Sequence, residues 1–294
     1  MSDPPLLALK LSLLVFMAGS LMEMGLGLRL RDALSGLRDR RFLAYGVGFG
    51  FVIGPGLAWG MAQLLPLSPP HALGLMLLGL APCAPFVPVM VTRAQGDVAY
   101  VPAMMLLAAV GTLVLMPMAV PLLATGLSVD AWAIARPLLV MVLVPLALGM
   151  AVFRFAPHVA ETARPRVKSV ATGAAVVLLV LCGVMFGRGF VAAFGSFAVG
   201  SQVLFLTIMT AASYGLARGL RPQRRSVLGL GLCTRNVGAA MAPLLSAPGV
   251  DDGVIVMVAL GVPVQIACGL LAAKWFARDV QRAAVGGETA CPSG

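Results

Sequence analysis

Several residues of this 294-residue chain have types and spacing that could do chemistry. Thr234, Arg235 and Asn236 sit together near the middle of an apolar run, flanked by Gly229, Gly231, Gly238 and Pro243. Arg235 lies about ten residues from either end of the run, too deep for its head to reach water along its own stem. A charge at such a depth costs roughly 2.5–3.5 kcal/mol on insertion scales and needs an anion, a cluster of carbonyls or water. It therefore either binds a ligand or caps backbone carbonyls of a broken helix. A second run carries Pro82, Pro85 and Pro88 at every third position. Each removes an N–H and clashes with the preceding turn, so this segment is expected as two half-helices flanking an extended stretch. Exposed backbone of that kind survives at membrane depth only when buried in protein or lining a polar cavity.

Other groups are spread more thinly. Glu23 is an intramembrane carboxylate, a candidate for a cavity-facing coupling group or for a place near the interface. Gln265 faces lipid, a neighbouring helix or the cavity. Cys83 and Cys233 each sit at an expected break, either as small hydrophobes or as soft ligands. No two of the five cysteines have Cys-x-x-Cys spacing, and there is no Ser/His/Asp or metal-ligand cluster; His71 and His158 lie at the ends of apolar runs. No enzyme, no metal and no cofactor is expected.

The elements that must hold these residues follow from composition. The chain is 60% hydrophobic and 11% charged with a mean hydropathy of +0.98, which excludes an ordinary water-soluble domain. Nine apolar runs of helix length are expected at roughly 5–28, 43–65, 71–92, 98–124, 131–153, 167–187, 197–217, 226–247 and 253–276. No loop between them could hold a soluble domain. The expectation is an all-α polytopic protein whose residues 1–294 form one integral membrane domain. Of 21 basic residues, 17 fall in alternate connections or the C-terminal tail, including Arg29, Arg31, Arg93, Arg164, Lys168 and Arg224. The opposite loops carry Asp130, Asp251 and Asp252 and no basic residue. That asymmetry places the N-terminus outside and the C-terminus in the cytoplasm of a bacterial inner membrane. It also explains the net charge of +10 as a topogenic feature facing anionic lipid, with no nucleic-acid partner. Lys10 and Arg93 read as interfacial snorkels. No cleaved signal peptide is expected, since the N-terminus carries Asp3 and no basic region.

The third and eighth runs are five apart, so they are antiparallel, and both have interrupted centres. Two such segments in corresponding positions of two halves are the sequence mark of an inverted-repeat transporter. In these residues the chain resembles the bile acid:sodium symporter family. Ala81-Pro82-Cys83-Ala84 through Gln95-Gly96-Asp97 is similar to the family pattern Ala-Pro-Gly-Gly…Lys-Gly-Asp, and Met24-Gly25-Leu26-Gly27-Leu28 to Met-Gly-Leu-x-Leu. Arg235-Asn236 falls where the family has Gln-Asn. The resemblance implies a core domain with two crossing discontinuous helices, about 43–124 and 197–276, beside a panel domain, about 5–28 and 131–187. It also implies a small organic anion, such as a carboxylate, carried by movement of core against panel. The family's sodium-ligand positions read Val87, Pro88, Gly231 and Arg235, none of which can hold a hard cation, so transport is expected to be sodium-independent. Arg235 would then replace the cation or pair with a substrate carboxylate. On this reading the substrate or crossover residues are Pro82, Cys83, Pro88, Cys233, Thr234, Arg235, Asn236 and Gln265. Two alternatives remain: a metalloid exporter using Cys83 and Cys233, because related arsenite exporters look to have a cysteine at the position of Cys83, and a non-transporting receptor.

Overall fold

Backbone in hydrocarbon must satisfy its own hydrogen bonds, and here the apolar runs do so as helices. The computed structural model describes residues 4–123, 139–246 and 250–288, together with Trp132 and Arg136. Among them are α1 (Pro4–Gly25), α2 (Leu30–Leu37), α3 (Arg40–Leu64), α4 (Pro69–Leu80), α5 (Val87–Arg93) and α6 (Val101–Leu123). The chain continues with α7 (Leu139–Phe155), α8 (Pro157–Gly195), α9 (Ala198–Leu216), α10 (Pro222–Cys233), α11 (Val237–Ser246) and α12 (Asp252–Glu288). Among the described residues six helices are long and apolar enough to cross a membrane: α1, α3, α6, α8, α9 and α12. Outward-facing side chains such as Leu64, Val114, Leu122 and Val184 are apolar and exposed, as a lipid-facing surface requires.

Both expected breaks are present. α4 ends at Leu80 and α5 begins at Val87; α10 ends at Cys233 and α11 begins at Val237. None of these four pieces alone reaches the roughly 30 Å of a bilayer core. One detail differs from the sequence reading. Pro88 lies in the first turn of α5, where a missing N–H costs nothing, so only Pro82 and Pro85 lie in the unwound stretch.

The basic connections also differ from the loops expected of them. Arg31 lies in α2, and Arg164, Arg166 and Lys168 lie on the early turns of α8. The chain breaks only at Ala156 before Pro157 starts the new helix, so α8 runs 39 residues with a kink at Phe186. The expected loop over 125–130 with Asp130, and Cys291 in the tail, lie outside the described residues.

α1, α7 and α8 pack on one another, and α4 and α10 both pack against α12. Between α1 and α7 the approach is closest at Gly25 and Gly149, where a Cβ on Gly149 would lie 2.9 Å from the Gly25 Cα. α8 and α12 also touch, so the first group of helices borders the second along those two elements.

Candidate functional site

The two breaks meet and satisfy each other's backbone. Pro82 and Arg235 form an antiparallel bridge. The Cys83 N–H donates to the Thr234 carbonyl at 2.8 Å, and the Asn236 N–H donates to the Ala81 carbonyl at 2.8 Å. The Thr234 hydroxyl adds a third link: it accepts from the Ala84 N–H at 3.1 Å and donates to the Leu230 carbonyl at 2.9 Å. Asn236 caps α11, its Oδ1 accepting from the Ala239 N–H at 3.1 Å. Thr234 thus holds the breaks together with its whole hydroxyl, whereas Asn236 uses only its Oδ1 and keeps its amide Nδ2 without a protein hydrogen bond among the described residues.

Arg235 is 2% exposed, the largest fully buried side chain of the chain's described part. Its Nη1 donates to the Gly79 carbonyl at 3.3 Å and its Nη2 to the Leu232 carbonyl at 3.0 Å. Those carbonyls belong to the last turns of α4 and α10. The guanidinium therefore sits at the negative ends of two half-helices, each carrying roughly half a charge. Its face lies over the Phe205 ring, 4.7 Å from the centroid. Its backbone N–H donates to Gln265 Oε1 from α12. Arg235 Nε and Gln202 Oε1 are buried without protein partners, and both residues line one small space of about 10 Å³. The arrangement favours the carbonyl-capping reading of Arg235 over direct pairing with a substrate.

A cavity of about 540 Å³ opens between α1 and α8 on one side and α5 and α12 on the other. Its inner part is reached by Arg235 and Gln265, its walls are mostly apolar, and Pro88 lines it. Besides Arg235, the charged groups on it are Arg93, Arg164, Lys168 and Glu23. Glu23 faces this cavity, where its Oε1 accepts from Arg164 Nε at 2.9 Å. Arg93 is exposed and lines the same space. By sequence, Arg164 and Lys168 read as topogenic markers alone. The signal for Arg164 was Glu23 itself, since a carboxylate at that depth requires a cation, but nothing in the spacing says which one.

The remaining expected residues fall elsewhere. Cys83 is buried against Leu21, Met24 and Met105, in a space of about 10 Å³ that also touches Pro82 and Asn236. Its φ is +69°, which explains why the resembled pattern has glycine there. Cys233 ends α10, is buried, and does not line the large cavity. Among the described residues no three His, Cys, Asp or Glu side chains cluster as metal ligands would. Val87 is fully buried, and Gly231 packs against Met104 of α6.

An all-helical chain with a lipid-facing exterior, paired helix breaks and a cavity beside them has the build of a polytopic membrane transporter. The model of the Sodium Bile acid symporter family matches residues 12–192, more than half of the chain. The chain belongs to that family and is an integral membrane transporter of a small-molecule substrate. The match takes in the first break and stops short of the second, so Arg235 lies beyond it. No curated protein matches the chain.

Proposed function

We propose that the protein carries a small organic anion of carboxylate type by alternating access at the paired breaks, and that it does so without sodium. The observation that carries this reading is the Arg235 guanidinium on the Gly79 and Leu232 carbonyls. Two helix C-termini meeting at mid-membrane call for a positive charge, and a covalently attached one fills the place that a soluble cation would otherwise take. A hard cation would also find few oxygen ligands at Val87, Pro88 and Gly231, the positions that the family resemblance assigns to sodium.

The anion's charge is met by Arg93, Arg164 and Lys168 on the cavity, and its body by the apolar walls. In this reading α4–α5 and α10–α11 each count as one traverse and α7 as another. That gives nine traverses, with the N-terminus outside and the basic ends of the helices in the cytoplasm of a bacterial inner membrane. α1, α7 and α8 act as panel and the other helices as core. The large cavity lies on the boundary that would slide.

The test is a thermal-stability screen of potassium and sodium salts of organic acids on purified protein, at equal ionic strength. At least one organic anion should raise the melting temperature, equally in both cations. Stabilisation that requires sodium and not potassium overturns sodium independence, and stabilisation by no organic anion overturns the substrate class.

A further inference from the structure

A second, smaller cavity of about 300 Å³ lies next to the large one, bounded by α1, α5, α6 and α8. Glu23, Pro88, Thr92 and Arg164 line both. The Glu23–Arg164 pair therefore stands where the two spaces meet and links α1 to α8 there. The two partners are unequally exposed: the Arg164 side chain is 45% exposed and the Glu23 side chain 14%. The recorded bond uses Arg164 Nε, and neither terminal guanidinium nitrogen makes a protein hydrogen bond among the described residues. The guanidinium rests on bare backbone, since a Cβ at Gly27 would lie 2.5 Å from its Cζ. The other cations on these cavities are Lys168 from α8, Arg93 from α5 and Arg235 at the breaks. Neither α6 nor α12 contributes an ionisable side chain to them.

We propose that Glu23 is a built-in competitor for the anion site: it neutralises Arg164 when the cavity is empty, and a substrate carboxylate competes with it for the same guanidinium. An arginine fork suits a carboxylate, so the site already carries the chemistry of its proposed ligand in Glu23. A bound carboxylate on the terminal nitrogens, which make no protein hydrogen bond among the described residues, would also put two negative groups on one cation, which weakens the Glu23 bond. Releasing that bond removes the ion pair between α1 and α8 where the two cavities meet, while the two helices stay packed on one another. Glu23 thus sets a threshold: uncharged ligands cannot displace it, and carboxylates can. This rests on the carrier reading above.

The experiment is calorimetric titration of the full-length protein in lipid nanodiscs with potassium naphthalene carboxylate, and with naphthalene carboxamide as the uncharged control. Glu23→Gln should bind the carboxylate about tenfold more tightly than wild type, and Arg164→Gln about tenfold more weakly. In the Arg164→Gln background, Glu23→Gln should bring no further gain, because there is nothing left to compete for. Binding of the amide should be the same in all four proteins. If Glu23→Gln does not fold, Glu23→Asp, with its shorter reach, should shift binding in the same direction by less. A gain that persists without Arg164 means that Glu23 merely repels anions, and overturns the proposal. Unchanged binding in Glu23→Gln overturns it too, while leaving the carrier reading intact. Failure of both the wild type and Glu23→Gln to bind the carboxylate overturns the proposal, whereas the carrier reading falls only if no organic anion in the stability screen binds.

Discussion

The Arg235 guanidinium donates to the Gly79 carbonyl at 3.3 Å, although 156 positions separate the two residues. That bond ties the end of the first half-helix of one break to the middle of the other. With the Leu232 bond from the same side chain, it disposes of carbonyls that unwinding would leave without donors in a dry interior. The buried arginine is thus the condition for having two helix ends at this depth.

Arg235→Gln should therefore be strongly destabilising. Each carbonyl left without a donor costs about 1–3 kcal/mol, and the stacking on Phe205 is lost as well. Arg235→Lys should fall between the two, because a single ammonium keeps the charge but not the fork that spans both carbonyls. Thermal unfolding in detergent checks the order. A glutamine variant as stable as the wild type would show that the carbonyls do not depend on Arg235.

Cys83 holds a left-handed conformation, φ +69°, so that its N–H can reach the Thr234 carbonyl. A side chain there costs roughly 1–2 kcal/mol. Cys83→Gly removes that cost but gives back up to about 1 kcal/mol in unfolded-chain entropy and some packing, so stability should change by less than about 1 kcal/mol. Cys83→Val should lose appreciably more, since β-branched residues are the least tolerant of this region. Ligand binding should survive in the glycine variant. Its loss there, with the fold intact, would restore a role for the thiol.

The breaks are legible in the sequence, and what fills them is not. Pro82 and Pro85 cannot both continue a helix, and Thr234 to Asn236 interrupt an apolar run with polar groups; both are local facts. Single prolines mislead, since Pro117, Pro121 and Pro263 all lie inside unbroken helices. The pairing of Cys83 with Thr234 and of Asn236 with Ala81 joins segments about 150 positions apart, and no periodicity encodes it. Arg164 was hidden for another reason. A basic residue near a membrane surface satisfies the topology rule whether or not it also lines a cavity. Glu23 was visible as a charge in need of a partner, and only the packing of α1 on α8 supplies one.

At the basic end of the helices, Asp39 does two jobs that can be separated. Its Oδ1 caps α3, accepting from the Arg41 and Phe42 N–H groups at 3.1 and 3.2 Å. Its Oδ2 accepts from Arg224 Nη1 at 3.1 Å and from the Tyr100 hydroxyl at 3.2 Å. Asp39→Asn keeps a good cap and loses the charge, whereas Asp39→Ala loses both, so alanine should cost about 1 kcal/mol more than asparagine. The gap between wild type and Asp39→Asn should shrink as salt is added, because the ion pair is partly exposed and screened. Unfolding curves at two salt concentrations test both statements.

The contact between α1 and α7 makes the most demanding packing prediction. A Cβ at Gly149 would lie 2.5 Å from the Met22 carbonyl oxygen and 2.9 Å from the Leu26 N, both backbone atoms that cannot swing aside. In hydrocarbon, helices gain little from apolar burial and associate through such close approach. Gly149→Val should therefore push α7 off α1 at a cost of about 1–3 kcal/mol. Gly173 on α8 is the control: nothing lies within 4 Å of the Cβ it lacks, so Gly173→Ala should be neutral or gain up to about 1 kcal/mol in helix propensity. Because Glu23 lies between Met22 and Gly25 on α1, displacing that helix should also loosen the Glu23–Arg164 pair. Gly149→Val should then show tighter carboxylate binding per folded molecule along with its lower melting temperature. A lower melting temperature with unchanged binding would mean that the pair holds α1 to α8 independently of α7.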